Sequence, residues 1–161
     1  MLILTLVNPK EVVVKNIRRF GLRAQLLEFT DTVETVGKAC KLSGEPPNVI
    51  VKTLLMKVND RDYIVLIARG DRRVDTTKLS RYLGRDVGLA APDEVFKVLE
   101  VPAGAVSPLL DNVLKFRRLL DPKILEKEYV VCGGGDLNTL VRIVTEDLIK
   151  YLKPEIVDVF K

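Results

Sequence analysis

The residues that could do chemistry in this sequence are few, and Lys52 is the first of them. It sits inside the run VIVKTLLM, residues 49 to 56, whose other members suit the interior of a sheet. Side chains alternate faces along a strand. Ile50, Lys52, Leu54 and Met56 therefore share one face, and Val49, Val51, Thr53 and Leu55 share the other. A lysine there can guard an edge strand against sheet-to-sheet pairing, or snorkel its ammonium into water. It can also stand at the rim of a concave pocket and meet a substrate carbonyl or phosphate. The second feature is Gly104-Ala105-Val106-Ser107-Pro108. The glycine permits a sharp turn and the proline stiffens the exit. Such a loop can turn backbone N–H groups into a cleft, as an oxyanion site requires, or it can be an ordinary connection. The third is Gly133-Gly134-Gly135-Asp136 at the end of an apolar strand. Three glycines there point to close backbone approach by a ligand or another chain, or to a tight turn in which Asp136 caps backbone amides.

Composition removes several chemistries. The sequence has no histidine, which excludes a His general base, a Ser-His or Cys-His pair and His-ligated zinc. Its two cysteines, Cys40 and Cys132, cannot make a zinc site alone and read as reduced, small core residues. Lys plus Arg number 26 against 22 acids, a net charge of +4 that permits a polyanionic partner without demanding one. Basic residues gather at Arg69, Arg72, Arg73, Lys78, Arg81 and Arg85, and again at Lys115, Arg117, Arg118, Lys123 and Lys127. Acids interrupt both groups, so each reads as a solvated face that could meet phosphates. The opening MLILTLVNP is too short for a membrane span and lacks a basic start, so a cytoplasmic protein with no membrane partner is expected.

The elements that must position these residues follow from periodicity. With 161 residues and 47% hydrophobic residues, the chain has material for one domain, residues 1–161, with its own core. Leu2 to Val7 reads as a short strand. Pro9 opens a helix that Gly21 stops, and residues 22 to 29 read as a strand. Thr35 caps a helix through Leu42, ended by Ser43-Gly44 and Pro46-Pro47. Residues 49 to 69 read as a hairpin turning at Asn59-Asp60. Asp75 caps a short helix ended by Gly84, and Pro92 starts another. VLKFRRLL, YVVCGGGD and LVRIVT read as strands, Glu146 to Leu152 as a helix, and EIVDVF as a last strand. The order is not a strict βαβ alternation. It predicts an α/β fold with a mixed, barrel-like sheet core surrounded by short helices.

Taken together, four segments resemble the YbaK family, the prolyl-tRNA synthetase-associated editing domains, which are aminoacyl-tRNA deacylases. TVGKACKLSGEPPNVIVKTLLM is similar to the family's capped helix, Pro-containing loop and Ile-Val-Lys-Thr-Leu strand. YIVLIARGDRRVDTTKLSRYLG resembles its next strand, Gly-Asp turn and helix. LAAPDEVFKVLEVPAGAVSPL resembles its Ala-x-Pro helix and Gly-x-Val-x-Pro loop, and VVCGGGDLNTLVRIVTEDLIKYL its glycine-rich strand exit and final strand-helix. The match runs over roughly residues 35 to 152. The chain departs from the family where a His-Pro pair often precedes the capping threonine; here the region reads EFTDTVET, a difference that bears on amino-acid specificity.

The resemblance implies hydrolysis of the ester joining a wrong amino acid to the 3′ end of a tRNA, most simply tRNA-Pro carrying a small non-cognate residue. Lys52 would match the family's functional lysine. Gly104, Ala105, Val106, Ser107 and Pro108 would match its substrate loop, and Gly134, Gly135 and Asp136 would line the same pocket, with Thr35 beside them. No cofactor and no metal is implied. The expected partners are the acceptor end of aminoacyl-tRNA and a prolyl-tRNA synthetase. Because no synthetase module is present, editing by a free-standing protein is expected. The competing reading is a non-catalytic tRNA- or synthetase-binding module of the same fold.

Overall fold

A computed structural model describes residues 8–161. The strand expected over residues 2–7 lies outside the described residues. Helix α1 (Pro9–Arg19) starts as its sequence requires: Asn8 accepts a hydrogen bond from Lys10 N, and Pro9 fills the first helical position. Strand β1 (Ala24–Glu28) follows. Helix α2 (Val36–Ser43) is capped by Thr35, whose hydroxyl accepts from Lys38 N, and ends on Gly44 at φ +75°. Strands β2 (Val51–Val58) and β3 (Asp62–Arg69) form the expected hairpin. Helix α3 (Thr76–Leu83) is capped by Asp75. Then come β4 (Val87–Leu89), α4 (Pro92–Leu99), β5 (Arg117–Leu120), β6 (Tyr129–Gly133), β7 (Thr139–Val144), α5 (Thr145–Leu152) and β8 (Glu155–Ile156).

The strands make two sheets rather than one closed wall. One is antiparallel with order β1-β7-β6, and the other is mixed with order β4-β2-β3-β5-β8. They meet at an isolated parallel bridge between Ile50 and Val131, where Val131 N donates to Val49 O at 2.9 Å. The mixed α/β architecture with outer helices holds, but the sheets do not close into a barrel. β2 leaves β6 after this bridge, and its ladder with β4 begins only at Met56. Part of the expected strand over VLKFRRLL is also different: Asp111–Lys115 is a 3-10 turn, and extension begins at Arg117.

Burial of apolar side chains holds the layers together. The largest cluster lies between the sheets and joins Val51, Leu55, Val65 and Ile67 to Val130, Cys132, Val141 and Ile143. A second covers the other face of the mixed sheet, with Met56, Leu66, Leu79, Leu119 and Phe160. A third packs α2 over Ile50, Val131 and Leu140. No helix among the described residues is long and apolar enough to cross a membrane.

Candidate functional site

Lys52 falls in the seam between two of these clusters. On its face of β2, Ile50 belongs to the cluster under α2, whereas Leu54 and Met56 belong to the one under α3 and the C-terminal segment. Lys52 belongs to neither and is half-buried. Its partner across the ladder is Ala68. The sheet order puts β2 between β3 and β4, but the β4 ladder begins only at Met56, so at Lys52 the strand is paired on the β3 side alone and the edge-guard reading keeps its basis beside the pocket one. Lys10, Lys38, Lys57 and Lys123 each approach a carboxylate within 4 Å. Lys52 makes no ion pair or hydrogen bond among the described residues. Burial pushes its pKa below the usual lysine value, and the nearby Arg73 charge adds to that; Asp71 and Asp121 act in the opposite direction.

Both of those carboxylates are otherwise engaged. Asp71 holds Arg69, with Nε to Oδ1 at 2.6 Å. Asp121, fully buried, accepts from Arg72 Nη1 at 2.7 Å and from the backbone N–H groups of Arg69 and Lys123. Lys52 is thus a desolvated cation without a counter-ion of its own, a state that favours an incoming anion or developing oxyanion.

Three loops gather at the far end of the β2–β6 contact. The parallel bridge at Ile50 and Val131 carries Lys52 and Gly133 to the same level, each two residues further along its strand. A methyl group at Gly133 would collide with the carbonyl oxygen of Val106, so the 104–108 loop rests directly on the strand exit. A methyl at Gly104 would stand 2.6 Å from Glu34 Cβ, which brings the loop against the residues just before α2. The third member, residues 133–138, is tied to the same segment through Val33 N to Leu137 O at 2.8 Å. Asn138 Nδ2 also donates to the carbonyls of Thr30 and Asp31.

Within this rim the expected site residues divide. Ala105, Ser107 and Pro108 are buried, and Ser107 Oγ accepts from Leu109 N at 3.1 Å, so its hydroxyl shapes the loop. Gly104 and Val106 are half-exposed. Thr35 is exposed at the start of α2, and its hydroxyl is occupied by the cap. Gly134 and Gly135 are both buried against the chain itself. Gly134 N donates to Thr139 O at 2.9 Å. Gly135, at φ +96°, would place a methyl 2.7 Å from Lys10 N at the start of α1. The close approach that the glycine run permits is therefore made by this chain's own backbone. Asp136 Oδ1 accepts from Asn138 N at 2.9 Å, and its other oxygen lies 3.9 Å from Lys10 Nζ. Asp136 caps a turn and pins it to α1.

Glu34 is a site neighbour that periodicity did not single out. One of its oxygens is 2.6 Å from Lys38 Nζ, and hydrogen bonds led by Lys38 hold its pKa at about 2. Its other oxygen is buried without a partner among the described residues. No motif marks it, because its nearness to Gly104 arises only on folding. Of the cysteines, Cys132 is fully buried and its thiol is pushed up to about 12, while Cys40, in α2, is half-buried. Wider concavities of the surface lie elsewhere, one of about 790 Å³ along α1 and one of about 780 Å³ between β6 and α5. None of these concavities is lined by Lys52 or by the 104–108 loop.

Comparison with known proteins matches this arrangement to a family. The sequence model of the aminoacyl-tRNA editing domain matches residues 30–151, which include Lys52, all three loops and Thr35. The chain belongs to the aminoacyl-tRNA editing domain family. It is 33% identical over 111 residues to a proline--tRNA ligase of Thermotoga neapolitana, covering 68% of this chain and 18% of the ligase. It is 33% identical over 87 residues to the proline--tRNA ligase of Staphylococcus aureus strain Newman, covering 53% of this chain and 15% of that enzyme. The chain thus spans less than a fifth of the length of these relatives. Among solved structures, a hypothetical protein superposes with a TM-score of 0.85 at 28% identity, covering 93% of this chain and 99% of that one. A candidate trans-editing enzyme for prolyl-tRNA synthetase superposes with a TM-score of 0.85 at 23% identity, covering 98% and 99% of the two chains. At that identity the second likeness speaks for the fold.

Proposed function

We propose that this editing domain is an aminoacyl-tRNA deacylase that hydrolyses the ester of a mischarged tRNA, with tRNA-Pro carrying a small non-cognate amino acid as its substrate. It acts in trans, in the cytoplasm, on the product of a prolyl-tRNA synthetase. The observation that carries this reading is the half-buried Lys52 ammonium, without an anion of its own, level with Gly133, on which the 104–108 loop rests. The sequence likeness to proline--tRNA ligases supports the choice of tRNA.

The chemistry asks little of the side chains. An aminoacyl ester is already activated, so placing water and stabilising the oxyanion supply the acceleration needed. Water attacks the ester carbonyl carbon, and the carbonyl oxygen becomes an oxyanion that the Lys52 ammonium stabilises. The bond from that carbon to the ribose oxygen then breaks. The proton lost by the attacking water ends on the ribose oxygen, passed through the neighbouring ribose hydroxyl. The backbone N–H and carbonyl groups of the half-exposed Gly104 and Val106 hold the ester and the water. No step uses a histidine, and the sequence has none.

The test is to charge tRNA-Pro with Ala, Ser, Cys or Pro and follow release of the amino acid. Turnover on at least one non-cognate ester, with prolyl-tRNA spared, is expected. Binding without release on every substrate would replace this reading with that of a holding module.

A further inference from the structure

Three arginines lie within five residues at the end of β3, the first of them its last residue, and among the described residues only one of them lacks a carboxylate partner. Arg69 is held by Asp71 and by Glu126, at 2.6 and 3.2 Å. Arg72 is held by Asp121 and Asp158, at 2.7 and 2.9 Å, and lies over the Phe160 ring. Arg73 is exposed and makes no side-chain ion pair or hydrogen bond among the described residues.

The backbone that carries Arg73 is nevertheless fixed. Arg73 N donates to Lys161 O at 3.1 Å, and Lys161 N returns a bond to Arg73 O at 2.8 Å. The next residue, Val74, forms an antiparallel bridge with Phe160. Gly70 N donates to Ile50 O at 2.7 Å and so ties the turn to the start of β2. Val74 and Phe160 both belong to the cluster on the Lys52 face of the sheet. Arg73 therefore sits at the border of the cluster that forms one wall of the Lys52 seam. The two cations are close enough for the Arg73 charge to bear on Lys52. The turn that carries Arg73 is tied to Ile50, two residues before Lys52, and the two carboxylates that bear on Lys52 are bound to Arg69 and Arg72, so the two cations at this end of β2 are left for an anion. A guanidinium grips a phosphate with two parallel N–H bonds, which an ammonium cannot do.

We propose that Arg73 clamps the last internucleotide phosphate of the tRNA acceptor strand beside Lys52, positioning the strand so that the terminal ester meets the Lys52 ammonium. The clamp rests on the reading of the Lys52 seam as the editing site. Arg73 is a positioning residue: it holds the phosphate and takes no part in the bond changes.

The probe is an uncharged RNA minihelix ending in CCA, compared with the same RNA carrying a neutral methylphosphonate at the last linkage. Arg73→Ala is expected to weaken binding of the natural RNA about tenfold, as loss of one charge-assisted contact does. It is expected to lower the slope of log affinity against log salt by about 0.7, the value for one phosphate of a single strand. Arg73→Lys should recover part of the loss. Against the methylphosphonate RNA, wild type and Arg73→Ala should bind alike. On charged tRNA the variant should raise KM and leave kcat within about twofold. Equal binding of the natural RNA by wild type and variant would overturn the clamp, as would the same loss on both RNAs. Wild type that binds RNA through this phosphate yet deacylates nothing would keep the clamp and reject the hydrolysis. Wild type that binds neither RNA would overturn both.

Discussion

Lys52 faces Ala68 across the β2–β3 ladder and stands between two apolar clusters without belonging to either. The fold thereby holds a cation partly out of water without giving it a carboxylate. Such a group weighs against stability and is expected where function needs it.

Replacement of that lysine by an apolar residue of similar length should separate the two effects. Lys52→Met is expected to raise stability by about 1 kcal/mol, because it removes the cost of burying an unpaired charge. The same variant should lose deacylation. Chemical denaturation of both proteins at neutral pH checks the first part.

The pH dependence has a definite sign. The folded-state pKa of Lys52 lies below the usual 10.5. Below that folded pKa the lysine is protonated in both states, and the cost of burial weighs fully on the fold. As pH rises through the folded pKa toward 10.5, the unfolded chain holds more protons, so this contribution to stability rises with pH. The stability gap between Lys52→Met and wild type should therefore narrow over that window. Enzymatic deacylation, corrected for hydrolysis by hydroxide, should fall over the same window as the ammonium is lost. Denaturation midpoints and initial rates across an alkaline series measure both.

Gly133 tests the contact between strand exit and loop. The atom in the way of a side chain there is a backbone carbonyl, that of Val106, so no rotamer change relieves the collision. Gly133→Ala is expected to cost about 2 kcal/mol of stability. It should also displace Val106 and lower activity in the fraction that stays folded. Thermal melts, with rates taken well below the transition, check this.

The cysteines should be bystanders. Cys132 is fully buried with its thiol pushed up to about 12, and burial also raises the half-buried Cys40 thiol. Alkylation under native conditions should reach Cys40 before Cys132. Cys40→Ala should retain deacylation, since no step needs a thiol.

Much of the fold was legible in local sequence because local physics decides it. Thr35, Asp75, Gly44 and Gly84 cap helices through bonds to neighbours a few residues away. The β2–β3 hairpin follows from two apolar runs and the Asn59 turn, where φ is +53°. β4 was not legible: three residues, one of them Leu89 at 67% exposure, carry too little pattern. VLKFRRLL reads as one strand, yet Val113 is buried in a 3-10 turn and extension begins only at Arg117. The glycine run pointed to close approach by a ligand or another chain, whereas this chain's own residues stand there: Val106 at Gly133, Thr139 at Gly134, and Pro9 and Lys10 at Gly135. Periodicity placed Lys52 on the right face of β2. That this face crosses from one cluster to another at Lys52 depends on α2, α3 and the C-terminal segment together.

The most direct measurement is single-turnover deacylation of Ala-tRNA-Pro by wild type and by Lys52→Met, under conditions where both are fully folded. We predict hydrolysis by wild type and at least about 100-fold slower hydrolysis by the variant, the usual cost of removing an oxyanion-stabilising group. Equal rates from the two proteins would contradict the role given to Lys52.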